Sequence, residues 1–316
     1  MRVTLATWNL ENLFLPGEQD GPKTQAEFDA KLDSLAATID RLKPDLLGVQ
    51  EVGNPDALQD LVARLDGTWH TELSAHPDGR RIRVGFLSRH PLTVTADVTA
   101  FPSQFAPLQT ADTGAPLNAM GRGGLAVSLE PVPGRTLHAA VCHLKSKLLT
   151  YPGNRHNPKN EGERARYAAY ALWRRGAEAT TMRALADELL GGDGRTRDVI
   201  VMGDLNDTPL AATTQILYGP PGSQIGTGGF HTPDKGDAAR LWNLGLKIPV
   251  EHRVSRVFEG QGELIDHLLV SHQLLQRLEE VFTGADGPLP SINAQPVERQ
   301  GAAGSDHAPV AARLTF

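Results

Sequence analysis

DVIVMGDLND, residues 198–207, is the stretch from which the rest of the chain can be read. Residues 198–202 form a short apolar run of the kind that makes a buried strand, and Gly203 then opens a turn carrying Asp204, Asn206 and Asp207. A carboxylate placed where a buried strand stops is costly unless it faces water, pairs with a cation or binds a metal. The same arrangement recurs along the chain. Residues 2–10 (RVTLATWNL) read as a strand that delivers Asn9 and Glu11, and Leu46 to Val49 is followed by Gln50-Glu51. Residues 136–142 (TLHAAVC) end in His143, 264–270 (LIDHLLV) contain Asp266-His267, and Ser305-Asp306-His307 leads into 308–315 (APVAARLT). Recurrence at so many strand ends points to one shared polar site.

Between the strands, helices are expected from periodicity. Phe28, Leu32, Leu35, Ile39 and Leu42 recur at spacings of four and three, and Pro44-Asp45 stops that run. Asn54-Pro55 starts a second helix carrying Leu58, Leu61, Val62 and Leu65. The longest helix is expected over 161–190, with Asn160 and Glu163 at capping-box spacing and Gly191-Gly192 at its end. Its arginines, Arg164, Arg166, Arg174, Arg175 and Arg183, are diluted by Glu161, Glu163 and Glu178, and so read as a salt-bridged, solvated face. Further strands are expected at 82–88 and 124–130.

The 316 residues, 40% of them hydrophobic, suffice for one large α/β core. No internal repeat is visible. The Gly/Pro-rich stretches at 101–124, 150–160, 219–236 and 284–304 are flanked by strands that carry polar clusters, so they read as loops of a single domain over residues 1–316, gathered on one rim. The one cysteine, Cys142, excludes an intramolecular disulfide and a cysteine-based zinc site. Any metal must then be held by oxygen and imidazole. A formal charge of −6 argues against holding nucleic acid by bulk electrostatics and leaves room only for local basic contacts. No apolar stretch is long enough for a bilayer, and Met1-Arg2-Val3 enters a strand without a signal-peptide core. The expectation is a cytoplasmic protein without membrane insertion or an evident obligate protein partner; a trimmed secreted form stays open.

The clustered residue types suit hydrolysis of a phosphate ester, which needs charge neutralisation at the phosphoryl oxygens, a group that orients water and a donor to the phosphate. Glu51 and Asp306 are hard oxygen ligands and the Asn9 amide oxygen is a neutral one, a set that suits Mg²⁺ or Mn²⁺ better than zinc; Ca²⁺ stays open. Asp204 and Asn206, alternate residues of a turn, are placed to hold a water between a proton acceptor and an amide. His307 and His143 are donors to phosphate, and Asp266 is a carboxylate suited to fixing a histidine tautomer. Read singly, each has a structural alternative: Asp204 and Asn206 as turn formers, Asp306-His307 as a solvated pair, His143 as a core histidine, Asn9, Glu11 and Asn12 as local caps. His267 should face away from Asp266 by strand alternation and reads as structural. Arg122 in MGRGG, and Lys145 and Lys147 in HLKSK, are candidate contacts to substrate phosphate.

Six motifs, TWNLENLF, LLGVQEV, HLKSK, GDLND, IDHLLVS and SDHAPV, occur in that order over residues 7 to 310 and resemble the endonuclease/exonuclease/phosphatase superfamily, the DNase I-like phosphoesterases. The resemblance implies a four-layer α/β sandwich, two packed mixed β-sheets flanked by helices, with the site at one end. It implies that Asn9, Glu51 and Asp306, together with Glu11 at a position that is acidic in some members and basic in others, belong to a site for one or two Mg²⁺ or Mn²⁺ ions. It further implies that Asp204 and Asn206 activate the water, that His307 meets the phosphate and is oriented by Asp266, and that His143 is a second phosphate-contacting histidine. The expected substrate is a phosphodiester of DNA or RNA. A phosphomonoesterase or lipid- or inositol-phosphate enzyme is the alternative, and a noncatalytic phosphate-binding module is the alternative from another class. Substrate choice is expected in the loops at 147–162 and 219–236.

Overall fold

The computed structural model describes residues 1–153, 155, 157–218, 238–284, 287–293 and 296–316. The loop at 219–236, expected to bear on substrate choice, lies outside the described residues. In chain order the elements are β1 (Arg2–Leu13), α1 (Gln25–Leu42), β2 (Leu46–Val52), α2 (Pro55–Val62), β3 (His70–Leu73), β4 (Arg83–Ser88), β5 (Thr93–Ala100), β6 (Ala119–Val132), β7 (Arg135–His143) and α3 (Glu161–Leu190). They continue with β8 (Asp198–Asp204), α4 (Ala212–Tyr218), β9 (Trp242–Asn243), β10 (Arg256–Phe258), β11 (Gln261–Glu263), β12 (Asp266–Val270), α5 (His272–Leu275), β13 (Leu278–Thr283), β14 (Ser291–Ile292) and β15 (Val310–Thr315).

One large sheet has the order β13-β15-β1-β2-β4-β3 and the other β5-β6-β7-β8-β12-β9; β11-β10-β14 form a small third sheet. Both large sheets are mixed, with β1 parallel to β2 and β7 parallel to β8 among antiparallel neighbours. Alternation along the strands then makes the layers. Val3, Leu5, Val84 and Phe86 of the first sheet pack with Val127, Leu137, Val141, Ile200 and Met202 of the second, so the two sheets face each other. The outer face of the first, with Ala6, Trp8, Leu47 and Val49, is covered by Phe28, Leu32 and Leu35 of α1 and Leu58 and Leu61 of α2. The outer face of the second, with Ala126, Ala140, Val199 and Val201, is covered by Met182, Leu185 and Ala186 of α3 and Leu217 of α4. Helix, sheet, sheet and helix make the expected four-layer sandwich.

The helix boundaries follow local chemistry. Thr24 and Glu27 form a reciprocal capping box at the start of α1. At α3 the Asn160 side chain accepts the Glu163 N–H at 2.9 Å, and Gly191 closes the helix in the left-handed region at φ 57°. Glu163 does not complete the box, because its carboxylate is taken by Arg155 at 2.8 Å. The salt-bridged, solvated reading holds for Arg164 and Arg166, exposed and paired with Glu161 and Asp112, and needs correction at Arg175 and Glu178, which are buried against the site loops. Among the described residues no helix is long and apolar enough to cross a membrane.

Candidate active site

The faces that the two sheets turn to each other change from apolar to polar toward one end. Along β1 that face reads Val3, Leu5, Thr7, Asn9; along β7, Leu137, Ala139, Val141, His143; along β8, Ile200, Met202, Asp204. β12 runs antiparallel to β8 and reads Val270, Leu268, Asp266 toward the same end. Pairing of His143 and of Asp266 with Asp204 sets the three abreast. Their approach depends on Gly203, which has φ 142° and whose added Cβ would stand 1.9 Å from the Cys142 carbonyl oxygen. Glu11, Asn12, Glu51 and Asn206 all have φ between 50° and 62°. Side chains other than glycine avoid this region, at a cost of about 1–3 kcal/mol each, and such strain collects at functional sites.

Asp204 is the centre. Its Oδ2 accepts from Asn9 Nδ2 at 3.0 Å and lies 3.4 Å from His143 Nε2 and 3.9 Å from His307 Nε2, while Oδ1 accepts the Asn206 N–H at 2.8 Å. Burial, then the neighbouring Asp266 carboxylate, push its pKa up to about 7. Asn206 is fixed in turn, its Nδ2 donating to the Leu144 carbonyl at 2.9 Å. His307 Nδ1 lies 2.7 Å from Asp266 Oδ2. Burial opposes the charge on that imidazole, yet Asp266, Asp306 and Asp204 raise its pKa to about 10. Burial, with Arg122 and other cations, drives His143 the other way, well below the usual histidine range. One buried histidine is thus cationic and the other neutral at pH 7.

Glu51 accepts from Asn9 Nδ2 at 3.2 Å and from the Asn12 N–H at 2.9 Å. Burial works against its charge, but Arg122 and Arg80 outweigh it and hold its pKa below the usual carboxylate range. Asn9 Oδ1 accepts the Glu11 N–H at 2.9 Å, which leaves this oxygen a second lone pair. Its Nδ2 ties Glu51 to Asp204. Glu11 has both oxygens occupied by Arg299, at 2.6 and 2.7 Å, and Oε2 also accepts the Asp306 N–H at 2.9 Å. It braces Asp306. Asp306 itself meets no cation closer than Arg256 Nε at 3.7 Å among the described residues.

The donors offered here fit a hard divalent ion. They are carboxylate oxygens without sulfur, and Glu51 and Asp306 both line a cavity of about 320 Å³. Asp204, Asp266 and His307 also bring one ligand atom each within 4.8 Å of one another. Asp266 Oδ2 and His307 Nδ1 are 2.7 Å apart and His307 Nε2 faces Asp204 Oδ2 at 3.9 Å, so the trio also has the geometry of a proton-holding chain.

The cavity is lined by Arg80, Arg122, Arg256 and Arg299 besides the acidic groups and both histidines. Arg122 pairs with Asp78 at 3.0 Å, Arg80 donates to Asn12 Oδ1 at 2.7 Å, and the Nε atoms of Arg122 and Arg256 are buried with no hydrogen-bond partner among the described residues. Arg122 was expected here from sequence. Arg80, Arg256 and Arg299 were not, since none has a motif around it: Arg80 lies in a turn, Arg256 opens the three-residue β10 and Arg299 ends a single 3-10 turn. Lys145 lies outside the lining, its Nζ donating to the carbonyls of Ser146 and Leu148 at 2.9 and 2.7 Å, and burial lowers its pKa to about 8. Lys147 pairs with Glu263 at 2.8 Å. His267 faces away, as expected, with Nε2 2.8 Å from the Asp207 carbonyl and Nδ1 3.2 Å from Asn243.

A carboxylate centre ringed by guanidinium groups, at the end of a two-sheet sandwich, belongs to the class of phosphoester hydrolases. The chain is a member of the Endonuclease/Exonuclease/phosphatase family, whose sequence model matches residues 6–307. Enzymes of this family generally use divalent metals. No curated protein matches the chain. Among solved structures, truncated Caenorhabditis elegans TDP2 is 13% identical at TM-score 0.57, covering 100% of this chain and 98% of its own. The mannosyl-6-phosphatase of Bacteroides thetaiotaomicron is 16% identical at TM-score 0.58, with 99% and 100% covered. The human Nocturnin catalytic domain with bound sulfate is 16% identical at TM-score 0.54, with 100% and 94% covered. Likeness at these identities establishes the DNase I-like fold.

Proposed function

We propose that a single catalytic domain over residues 1–316 hydrolyses phosphodiester bonds of DNA or RNA by in-line attack of water, with Mg²⁺ or Mn²⁺ as cofactor. The observation that carries this reading is the Asp204 carboxylate, buried, held by Asn9 and Asn206, flanked by two histidines and raised to a pKa of about 7. A base matched to the working pH is the efficient one. Asp204 takes the proton of the water that Asn206 helps to align. His307, kept cationic and oriented by Asp266, donates to a phosphoryl oxygen, and neutral His143 contacts the phosphate from the other side.

Glu51 and Asp306 hold the divalent ion, with Asn9 and Glu11 bracing them. When bound, it offsets charge on the phosphoryl oxygens. Arg122, with Arg80 and Arg256, supplies the local basic contacts that an overall acidic protein needs to meet a nucleic-acid backbone. A small phosphoester is the second reading, favoured by one observation: among the described residues no Phe, Tyr or Trp side chain lines the cavity.

Single-stranded DNA, duplex DNA, RNA, bis-p-nitrophenyl phosphate and inositol phosphates, assayed side by side, test these readings. DNA or RNA turnover that stops in EDTA and returns with Mg²⁺ or Mn²⁺ is expected. Activity surviving thorough chelation removes the metal, and turnover confined to inositol phosphates replaces nucleic acid with the small substrate.

A further inference from the structure

Arg175 and Glu178, one turn apart on α3, are 6% and 2% exposed. Glu178 Oε2 accepts the Lys145 N–H at 2.6 Å, and Oε1 accepts the Gly121 N–H at 3.2 Å and Arg174 Nε at 2.9 Å. Arg175 Nη1 donates to the Lys145 carbonyl at 2.8 Å, and its Nε lies 3.3 Å from Asp207 Oδ2. The Lys145 main chain is therefore gripped through both its N–H and its carbonyl. Buried backbone groups that leave a sheet must find partners, and here two charged side chains of one helix supply them to loops far apart in sequence.

The gripped segments carry the site. His143 stands two residues before Lys145. Leu144, between them, donates its N–H to the Asp204 carbonyl at 3.0 Å and accepts Asn206 Nδ2 at 2.9 Å. Asp207, reached by Arg175, follows Asn206 directly. Gly121 precedes Arg122, and the Arg174 guanidinium lies where a Cβ on Gly121 would stand, 2.0 Å from Nη2. Apolar packing would bury α3 equally well, so a buried charged clamp needs another reason than stability.

We propose that Arg175 and Glu178 are positioning residues for the hydrolysis, holding the 143–145 segment, the 204–207 turn and the Gly121-Arg122 segment in fixed relation from α3. The kinetic arm of the test rests on the proposed hydrolysis; the spectroscopic arm does not. Glu178→Gln, made in the full chain, keeps the size and replaces an acceptor oxygen with an amide NH₂. Its kcat for bis-p-nitrophenyl phosphate in Mn²⁺ is expected to fall roughly tenfold or more with KM nearly unchanged. The ring ¹⁵N–¹H signals of His143 should shift or broaden, while those of His90, which pairs with Asp45 at 3.8 Å, stay put. In a His143→Ala background the same substitution should cost at least about threefold less, as for residues that act through one another.

Equal losses in both backgrounds, or unmoved His143 signals with a wild-type rate, overturn the proposal. If Glu178→Gln does not fold, Arg175→Lys carries the same measurements, since it keeps the charge and cannot span both Lys145 and Asp207. If the wild-type protein turns over no phosphoester, the hydrolysis reading fails and the His143 signals alone decide the clamp.

Discussion

Nδ1 of His307 lies 2.7 Å from Oδ2 of Asp266, with the two side chains 4% and 0% exposed. Such a bond fixes the ring orientation and directs the other nitrogen, Nε2, toward Asp204. Asp266→Asn keeps the shape and removes the strongest of the three carboxylate charges that together outweigh burial of the imidazolium. Its kcat for bis-p-nitrophenyl phosphate is expected to fall on the order of 10²-fold, with KM little changed, because a donor used in the transition state is lost. A rate within about threefold of wild type removes the pair from the mechanism.

Asp204→Asn separates two roles for the same carboxylate. As proton acceptor, its loss lowers kcat by about 10²–10⁴-fold and leaves divalent-ion binding intact. If Asp204, Asp266 and His307 instead formed the metal centre, calorimetric titration with Mn²⁺ would show affinity collapsing together with the rate.

Much of this site was legible because one parity rule governs both packing and chemistry. On β8 the residues that face the other sheet are Ile200, Met202 and Asp204, so the pattern that buries two side chains also aims the third. Asp266 and His267 were separable by the same rule. Arg80, Arg256 and Arg299 were not legible, because guanidinium groups on a turn, a three-residue strand and a 3-10 turn reach the cavity through tertiary packing and leave no periodic trace. Nor were the partners of the Asn9 amide, because Glu51 and Asp204, which accept from its Nδ2, lie 42 and 195 residues away in sequence. β9, β10, β11 and β14 have two or three residues each, too few to show alternation.

Asn9→Ala tests the bracing of Glu51. The variant removes the donor that ties Glu51 to Asp204 without removing a carboxylate. Partners of a metal ligand typically contribute about 10–100-fold in metal affinity, and the Mn²⁺ concentration for half-maximal activity should rise by that order. An unchanged Mn²⁺ dependence with a lowered kcat would assign Asn9 to Asp204 alone.

Gly203→Ala places a methyl group 1.9 Å from the Cys142 carbonyl, on a backbone at φ 142° that alanine avoids. β7 and β8 would have to separate where His143 and Asp204 pair. A loss of at least about 2 kcal/mol in denaturant unfolding is expected, together with loss of activity. Wild-type stability in this variant would mean that the two strands do not approach as described.

His267 gives a pH-dependent stability whose sign follows from its burial. Desolvation lowers its folded-state pKa below the ordinary 6.5, so the unfolded chain takes up the proton first. Its contribution is complete above pH 6.5 and is lost as the pH falls toward the folded-state value. His267→Gln cannot titrate, so the stability advantage of wild type over this variant should shrink below pH 6.5, by at most about 1.4 kcal/mol per pH unit. Taking the difference cancels the other buried groups that titrate in the same range, Asp204 among them. Urea midpoints from about pH 7.5, one unit above the ordinary histidine pKa, down to about pH 5, where the unfolded chain is almost fully protonated, measure it. A difference that stays constant would show that His267 keeps its ordinary pKa in the folded protein and that its bonds to Asp207 and Asn243 hold a ring still open to protonation.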